Sequence, residues 1–455
     1  MLKPRIEAVS VFRVLTIVLL FLSSVISCFA QDIEAKVEEY INAHMKLGNF
    51  SGSILIAKGG RILVSKGYGM ANYELDAPNT SQTKFRLGSV TKQFTTMAIM
   101  QLQEKGLLSV DDPIKKYLPD YPNGEKITIH HLLTHTSGIP NFTDFPEFEQ
   151  TERMPSPIDK TIETFKNKPL EFAPGDTFKY SNSGYILLSY IIEKVSGKSY
   201  EDFVKENIFQ PLNMTSTGYD HNETILKNRA SGYTMSDSVL VNAPYVDMTT
   251  PTGAGGLYST TEDLYLWDRA LYTEKLVGKS SLEQMLAPFK EGYGYGWFID
   301  ELFGRKRVHH GGLIRGFATN ITRYVNDDVC IIVLMNLDHV PVGSICKDLA
   351  AIVFGEKYEL PKERLAIEVD PMIYDAYVGE YELEPGFILS FTKENDRLFT
   401  QATGQPKFEI YPESETKFFL KVVDAQITFI KNDKGIVTEL ILHQNGKDHS
   451  AKKIE

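Results

Sequence analysis

The chain has 455 residues, with 48 Lys and Arg against 59 Asp and Glu, a formal net charge of −11 and 42% apolar residues. That length exceeds what one hydrophobic core usually organises, so two or more domains are expected, and the acidic balance argues against a nucleic-acid partner. Three cysteines, one of them near the start at Cys28, exclude a disulfide framework.

Lys3, Arg5 and Arg13 lead into an apolar run from Val14 to Leu22 and then into small residues ending at Ala30. This reads as a secretory signal peptide over residues 1–30, its apolar part too short to span a membrane. An exported, periplasmic or secreted chain follows, cleaved after Ala30. Val25-Ile26-Ser27-Cys28 also fits a lipobox, and membrane attachment would then be through lipid on Cys28. Removing residues 1–30 takes the net charge to −13, because Lys3, Arg5 and Arg13 outweigh Glu7.

Asp32 to Leu47 has the period of an amphipathic helix, and Ser53 to Ala57 with Ile62 to Ser65 around Gly59-Gly60 has the pattern of a β-hairpin. Phe85 to Leu87 is a short apolar strand that passes through Gly88 into a helical pattern carried by Val90, Phe94, Met97, Ala98 and Leu102, with Gly106 as its stop. An amphipathic helix beginning at Ser89 is therefore predicted. A hydroxyl at that position meets free backbone N–H groups and the positive end of the helix dipole. Lys92 stands one turn further on the same face, where a neutral amine can take the hydroxyl proton, and burial favours the neutral form. Ser-x-x-Lys occurs six times, at Ser81, Ser89, Ser344, Ser390, Ser414 and Ser450. Only Ser89 opens a long helix; Ser390 and Lys393, for example, fall in an alternating run that sends them to opposite faces.

The region up to about residue 290 is helical and loop-rich. Thr128 caps a short helix carrying His130, His131 and His135, and Ser259-Thr260-Thr261-Glu262 is a capping box opening a helix through Trp267 and Leu271. Between them, Phe178 to Tyr185 is a strand-like approach to a polar turn, followed by an apolar helix from Ile186 to Val195 stopped by Gly197. Tyr180 and Asn182, two apart, can present a phenol and a carboxamide to one pocket. His131 and His135 are four apart on one helix face, as two metal ligands would be. With no His-Glu-x-x-His pattern and no third ligand beside them, neither a metal nor another cofactor is expected.

Strand patterns then return at Tyr293 to Asp300, Lys306 to His310, Phe317 to Tyr324 and Val329 to Met335, before a final helix from Val342 to Phe354. His310-Gly311-Gly312 closes the second of these strands, and its glycines expose the backbone N–H groups that an oxyanion hole requires. Strands at both ends with helices between them imply one sheet built from the two ends and a helical insertion, with the site where they meet. Cys330 and Cys346 read as buried packing residues, a bridge between them being left open. Residues 356–371 form a Pro- and charge-containing linker, and residues 372–455 contain about eight short alternating runs, the texture of a small barrel closed to remove its edges.

Taken together and in order, Ser89-x-x-Lys92, Tyr180-x-Asn182 and His310-Gly311-Gly312 resemble the serine β-lactamase and penicillin-binding-protein family, most closely its class C-like branch of esterases, D-peptidases and β-lactamase-related proteins. Ile129 to Pro140, Phe172-Ala173-Pro174-Gly175 and Gly255 to Leu264 also look like that family, so the resemblance runs from about Ile33 to Phe354. The C-terminal module is similar to lipocalin-like barrels. The resemblance implies an α+β hydrolase domain over residues 31–355, an antiparallel sheet with a helical insertion. It implies that Ser89 is acylated, that Lys92 is its base, that Tyr180 is a second proton-transfer group and that Asn182 binds a substrate amide. The N–H groups of Ser89 and Leu313 would form the oxyanion hole, with His310 facing the pocket beside Gly311 and Gly312. The family's β-lactamases usually carry Lys-Thr-Gly there, so the groups that engage a substrate carboxylate are missing, although Arg315 is near enough in sequence to replace the charge. The expected activity is hydrolysis of esters, amides or D-amino-acid peptides, small or cell-wall derived. A β-lactamase or D-alanyl-D-alanine carboxypeptidase is the alternative, and a penicillin-binding sensor without turnover the non-enzymatic one.

Overall fold

The computed structural model describes residues 31–236, 239–421, 425–444 and 447–454. The expected signal segment, with Cys28, lies outside the described residues. The chain divides into two compact units at Leu360 and Pro361.

The first unit is built on one antiparallel sheet. Helix α1 (31–46) leads into the hairpin of β1 (Gly52–Lys58) and β2 (Arg61–Tyr68). Gly59 and Gly60 turn it at φ 58° and 71°, both in the left-handed region that a tight two-residue hairpin demands. Four later strands, β3 (Phe298–Leu302), β4 (Arg305–Ile314), β5 (Phe317–Tyr324) and β6 (Val329–Met335), complete the order β3-β4-β5-β6-β1-β2. The hairpin of the N-terminal end thus joins the C-terminal strands, with Ile54 opposite Val333 and Ile56 opposite Ile331. β1 and β6 read as unbroken apolar runs because both of their faces are covered. Ile54, Ile56, Ile331 and Val333 pack with α1 and with α6 (Val342–Phe354), while Leu55, Ile332 and Leu334 pack with the helical insertion. Cys330 points to the insertion side and Cys346 belongs to the other layer, so the sheet stands between them and both thiols are free.

Within the insertion, the central helix α2 (Lys92–Glu104) differs from its expected form. It does not begin at Ser89: Gly88–Thr91 is a 3-10 turn, Gly88 has φ 52°, and the α-helix starts at Lys92. Nor is it amphipathic, since every residue from Lys92 to Leu102 is buried. Its polar positions are tied into neighbours instead: Trp267 Nε1 donates to Gln93 Oε1 at 2.9 Å, and Gln101 Nε2 donates to Asn207 O at 3.0 Å. Helices α3 (Ile129–Leu133), α4 (Asn182–Ser196) and α5 (Thr261–Ala270) contribute to the same core. The α5 cap is Thr260, whose hydroxyl accepts from Asp263 N, one residue later than expected. The predicted strand at Tyr293 also starts late, at Phe298, because Gly292 and Gly296 bend the approach at φ 69° and 76°.

The second unit is a closed eight-stranded barrel, β7 (Gly379–Glu384) through β14 (Lys447–Lys453), each strand pairing with the next and the last with the first. A barrel of this size is either filled or holds one small ligand. Phe429 occupies this interior, stacked on Tyr377 at 4.2 Å and edge-on to Phe391 and Phe418 at 5.1 and 5.6 Å.

Candidate active site

The 3-10 turn brings Ser89 over the first turn of α2. Its hydroxyl lies 2.9 Å from Lys92 Nζ. Lys92 is fully buried, which holds its amine well below the ordinary value of 10.5 and favours the neutral form. Nζ also lies 2.8 Å from Asn182 Oδ1 and 2.8 Å from the carbonyl of Ala254. Both of those partners can only accept, so they take the two N–H bonds of the neutral amine and leave its lone pair for the Ser89 hydroxyl. Asn182 is itself fixed as the first residue of α4, its N–H donating to Asn141 Oδ1 at 2.9 Å.

Tyr180 lies in the irregular segment leading into α4, its ring centroid 4.9 Å from Lys92 Nζ. Burial pushes its phenol far up, with the Ser89 hydroxyl opposing the shift, so the group remains protonated across the working range. Burial therefore favours the uncharged form of both the amine and the phenol, with opposite consequences. One is ready to accept a proton and the other to donate one.

β4 does not end at its glycines but runs through them to Ile314. A Cβ built on Gly312 would stand 1.9 Å from Leu87 O and 3.0 Å from Ser89 N, and one on Gly88 would stand 2.9 Å from Leu313 N. The two glycines thus let the Ser89 turn lie directly on β4 and bring the Ser89 and Leu313 N–H groups together. Gly311 is different, because a Cβ there would meet nothing nearer than 3.6 Å. Gly312→Ala should consequently push the Ser89 turn off the strand and lower kcat about 10²-fold, as displacements of about 1 Å do. Gly311→Ala should stay within a few-fold, and equal losses in the two variants, measured on one ester, would contradict this account.

A family model described as Beta-lactamase matches residues 36–353, and one described as a domain of unknown function (DUF3471) matches residues 363–453. The chain belongs to the β-lactamase family. Penicillin-binding protein 4* of Bacillus subtilis (strain 168) is 32% identical over 429 residues, covering 88% of this chain and 94% of the relative. Among solved structures, the octameric penicillin-binding protein homologue from Pyrococcus abyssi aligns with a TM-score of 0.67 at 29% identity over 92% of this chain and 99% of that one. A penicillin-binding protein from Bacillus halodurans aligns with a TM-score of 0.62 at 30% identity, over 70% of this chain and 98% of that one. This β-lactamase-family chain is accordingly a serine hydrolase by kind.

Against the family's Lys-Thr-Gly pattern, the environment of His310 and Arg315 carries two corrections. His310 does not line the cavity beside Ser89; it is 2% exposed, with Nδ1 2.6 Å from Gly311 O and Nε2 3.1 Å from the Tyr293 hydroxyl. A carbonyl can only accept, so Nδ1 carries the proton and Nε2 accepts from Tyr293. Burial lowers the imidazole to about 3, and the ring is neutral. Arg315 does line the cavity, but its charge is already engaged. Its Nε donates to both carboxylate oxygens of Glu152 at 3.0 and 3.2 Å and its Nη2 lies 2.9 Å from Oε1, while Glu152 is only 3% exposed. The cavity, about 280 Å³, is bounded by Ser89, Asn182 and Ala254 on one side and by apolar Phe142, Phe148, Val246 and Ile314 elsewhere, with Asp338 adding a second carboxylate.

His131 and His135 each have local partners instead of a shared ligand. His131 Nδ1 accepts from Thr128 N to complete the α3 capping box, and His135 falls beyond the helix, so the two do not converge as ligands. No group of metal-ligating side chains is found among the described residues. Sequence reasoning missed Ala254 and Glu152. Both act through contacts more than 160 residues away in the chain, and only the glycine run Gly253 to Gly256 hinted at a close approach.

Proposed function

We propose that this chain is an exported acyl-transfer hydrolase that forms a covalent ester on Ser89 and prefers carbonyl substrates without a carboxylate next to the scissile bond. The observation that carries this reading is the buried Lys92 amine, 2.8 Å from two carbonyl acceptors and 2.9 Å from the Ser89 hydroxyl, toward which a neutral amine with both N–H bonds so engaged turns its lone pair. Lys92 takes the hydroxyl proton as Oγ bonds to the substrate carbonyl carbon, and the N–H groups of Ser89 and Leu313 hold the developing oxyanion. The Tyr180 phenol donates a proton to the departing alkoxide or amine and recovers one from the water that attacks the acyl ester, while Lys92 returns its proton to the departing Ser89 Oγ. Asn182, with one amide face on Lys92, offers its Nδ2 toward Thr143 and the cavity.

Substrate preference follows from charge. A β-lactam carboxylate would find Arg315 on the cavity wall already paired with a buried carboxylate, and His310 is buried away from it, so a small neutral ester or amide is favoured. Export rests on the composition of residues 1–30, and mass measurement of the protein recovered from its native host distinguishes cleavage after Ala30 from lipid on Cys28.

The reading is tested by treating the purified chain with a fluorophosphonate and then comparing a neutral ester with benzylpenicillin. One adduct on Ser89, absent in Ser89→Ala, is expected. Ester turnover should exceed penicillin turnover by at least the roughly 10-fold that one missing charge-assisted contact of about 1.5–3 kcal/mol implies. An adduct on Ser181 or Ser344 would refute the nucleophile, and penicillin turnover matching the ester would refute the charge argument.

A further inference from the structure

Tyr180 sits in a segment, 177–181, that has no regular secondary structure, yet its phenol must point at one place. We infer that His135 is the positioning residue that sets the direction of the Tyr180 side chain, by bonding the backbone on both sides of it and bearing on its ring. That role for His135 rests on Tyr180 being the proton donor.

His135 leaves α3 with φ 57° and is 1% exposed. Its carbonyl accepts from Lys179 N at 2.9 Å, and its Nδ1 accepts from Ser181 N at 3.1 Å. Tyr180 is thus bracketed by two hydrogen bonds to one residue. Between them, the two rings face each other with centroids 4.2 Å apart and planes tilted by 35°. The same turn continues the template outward: Gly175 N donates to Thr136 O and Glu171 N to Gly138 O, both at 2.8 Å. A loop that has no ladder of its own is laid along the residues that follow α3.

The left-handed backbone is what makes both contacts available at once. Positive φ is uncommon outside glycine and is more readily adopted by Asn, Asp and His. At His135 it turns the carbonyl and the side chain toward the same strand of chain, so that consecutive odd-numbered N–H groups, Lys179 and Ser181, reach one residue. Because Nδ1 accepts, the ring is the neutral Nε2–H form. On its far side it meets Tyr293 at 4.7 Å and Tyr185 at 5.1 Å. His135 cannot drift without moving those buried rings, and Tyr293 in turn holds the His310 ring. This wall of uncharged aromatic groups keeps the phenol fixed beside a neutral Lys92.

Asn and Gly both tolerate φ near 57°, so two substitutions can separate the contacts without backbone strain. His135→Asn keeps an acceptor for Ser181 N but removes the ring, and His135→Gly removes both. With a neutral ester, kcat should fall about 10-fold in the first and about 100-fold in the second, at nearly constant KM, which is the range over which general acid–base help operates. The decisive measurement repeats both changes in a Tyr180→Phe background, with folding monitored by circular dichroism. There they should cost less than about 2-fold, because groups that act as one unit are not additive. Full-sized losses in that background, losses confined to KM, or an Asn variant no better than Gly would each overturn the inference. Should His135→Gly fail to fold, the Asn cycle alone decides. If Tyr180→Phe by itself retains wild-type kcat, the assignment of Tyr180 fails first, and that outcome is distinct from additivity.

Discussion

Replacing Lys92 with methionine should lower kcat/KM for a neutral ester by about 10²–10⁴, the range assigned to a positioned general base, and should at the same time change how stability depends on pH. Methionine fills the space of the side chain but has no lone pair to receive the Ser89 proton. The wild-type rate should rise with pH as the buried amine loses its proton, and Lys92→Met should be flat over the same interval. Linkage gives the sign for stability. The unfolded chain keeps the Lys92 proton up to its ordinary value of 10.5, while the folded chain releases it at much lower pH because of burial. Folding therefore expels a proton between those limits, and the wild type gains stability as pH rises toward 10.5. The stability difference between Lys92→Met and wild type should shift in favour of wild type across that range. Urea denaturation from neutral to alkaline pH measures it. A constant difference would mean that Lys92 is charged in the folded chain, and the role of base would be lost with it.

What the chain disclosed in advance was the part governed by local periodicity and by motif order. β1 and β6 are legible because runs of branched apolar residues are interrupted only at turns, and the hairpin because Gly59-Gly60 can do little else. Ser89, Lys92, Tyr180 and Asn182 were legible as a set, and the fold brings Ser89, Lys92 and Asn182 to within hydrogen-bond distance. The details that decide chemistry were less accessible. A 3-10 start at Gly88 and an α2 buried on all sides depend on neighbours that no window of α2 contains. The capture of Arg315 by Glu152 pairs residues 163 positions apart, and nothing near Arg315 in sequence marks its charge as spent. In the sequence His135 stands out only by its spacing from His131, whereas its left-handed backbone gives it a different set of partners.

The same distinction between local and distant pairing sets the largest expected effect on stability, which is Asp268→Ala. Asp268 on α5 and Arg323 on β5 are both fully buried, with Arg323 Nε 2.5 Å from Asp268 Oδ1 and Nη2 3.3 Å from its carbonyl. Arg269 closes on the other carboxylate oxygen at 2.6 Å. Removing the carboxylate leaves a guanidinium in the interior with that carbonyl and the rings of Tyr272 and Trp297, 4.7 and 5.9 Å away, and breaking a buried pair in this way costs about 3–5 kcal/mol. Against a typical total of about 5–15 kcal/mol, that is a large share. The more exposed counterpart is Arg307 with Asp300, whose side chains are 19% and 44% exposed; Asp300→Ala should cost about 1 kcal/mol. The two tryptophans of the chain, Trp267 and Trp297, both lie in the hydrolase unit, so urea melts followed by tryptophan fluorescence report that unit and not the barrel. Because Trp267 also donates to Gln93 beside Lys92, α5 is the link by which the ion pair holds α2 against the sheet. Asp268→Ala should lose activity in step with its fraction unfolded. A stability loss below about 1 kcal/mol, no larger than the exposed pair's, would show that the buried guanidinium finds other compensation and that α5 is anchored by its apolar face alone.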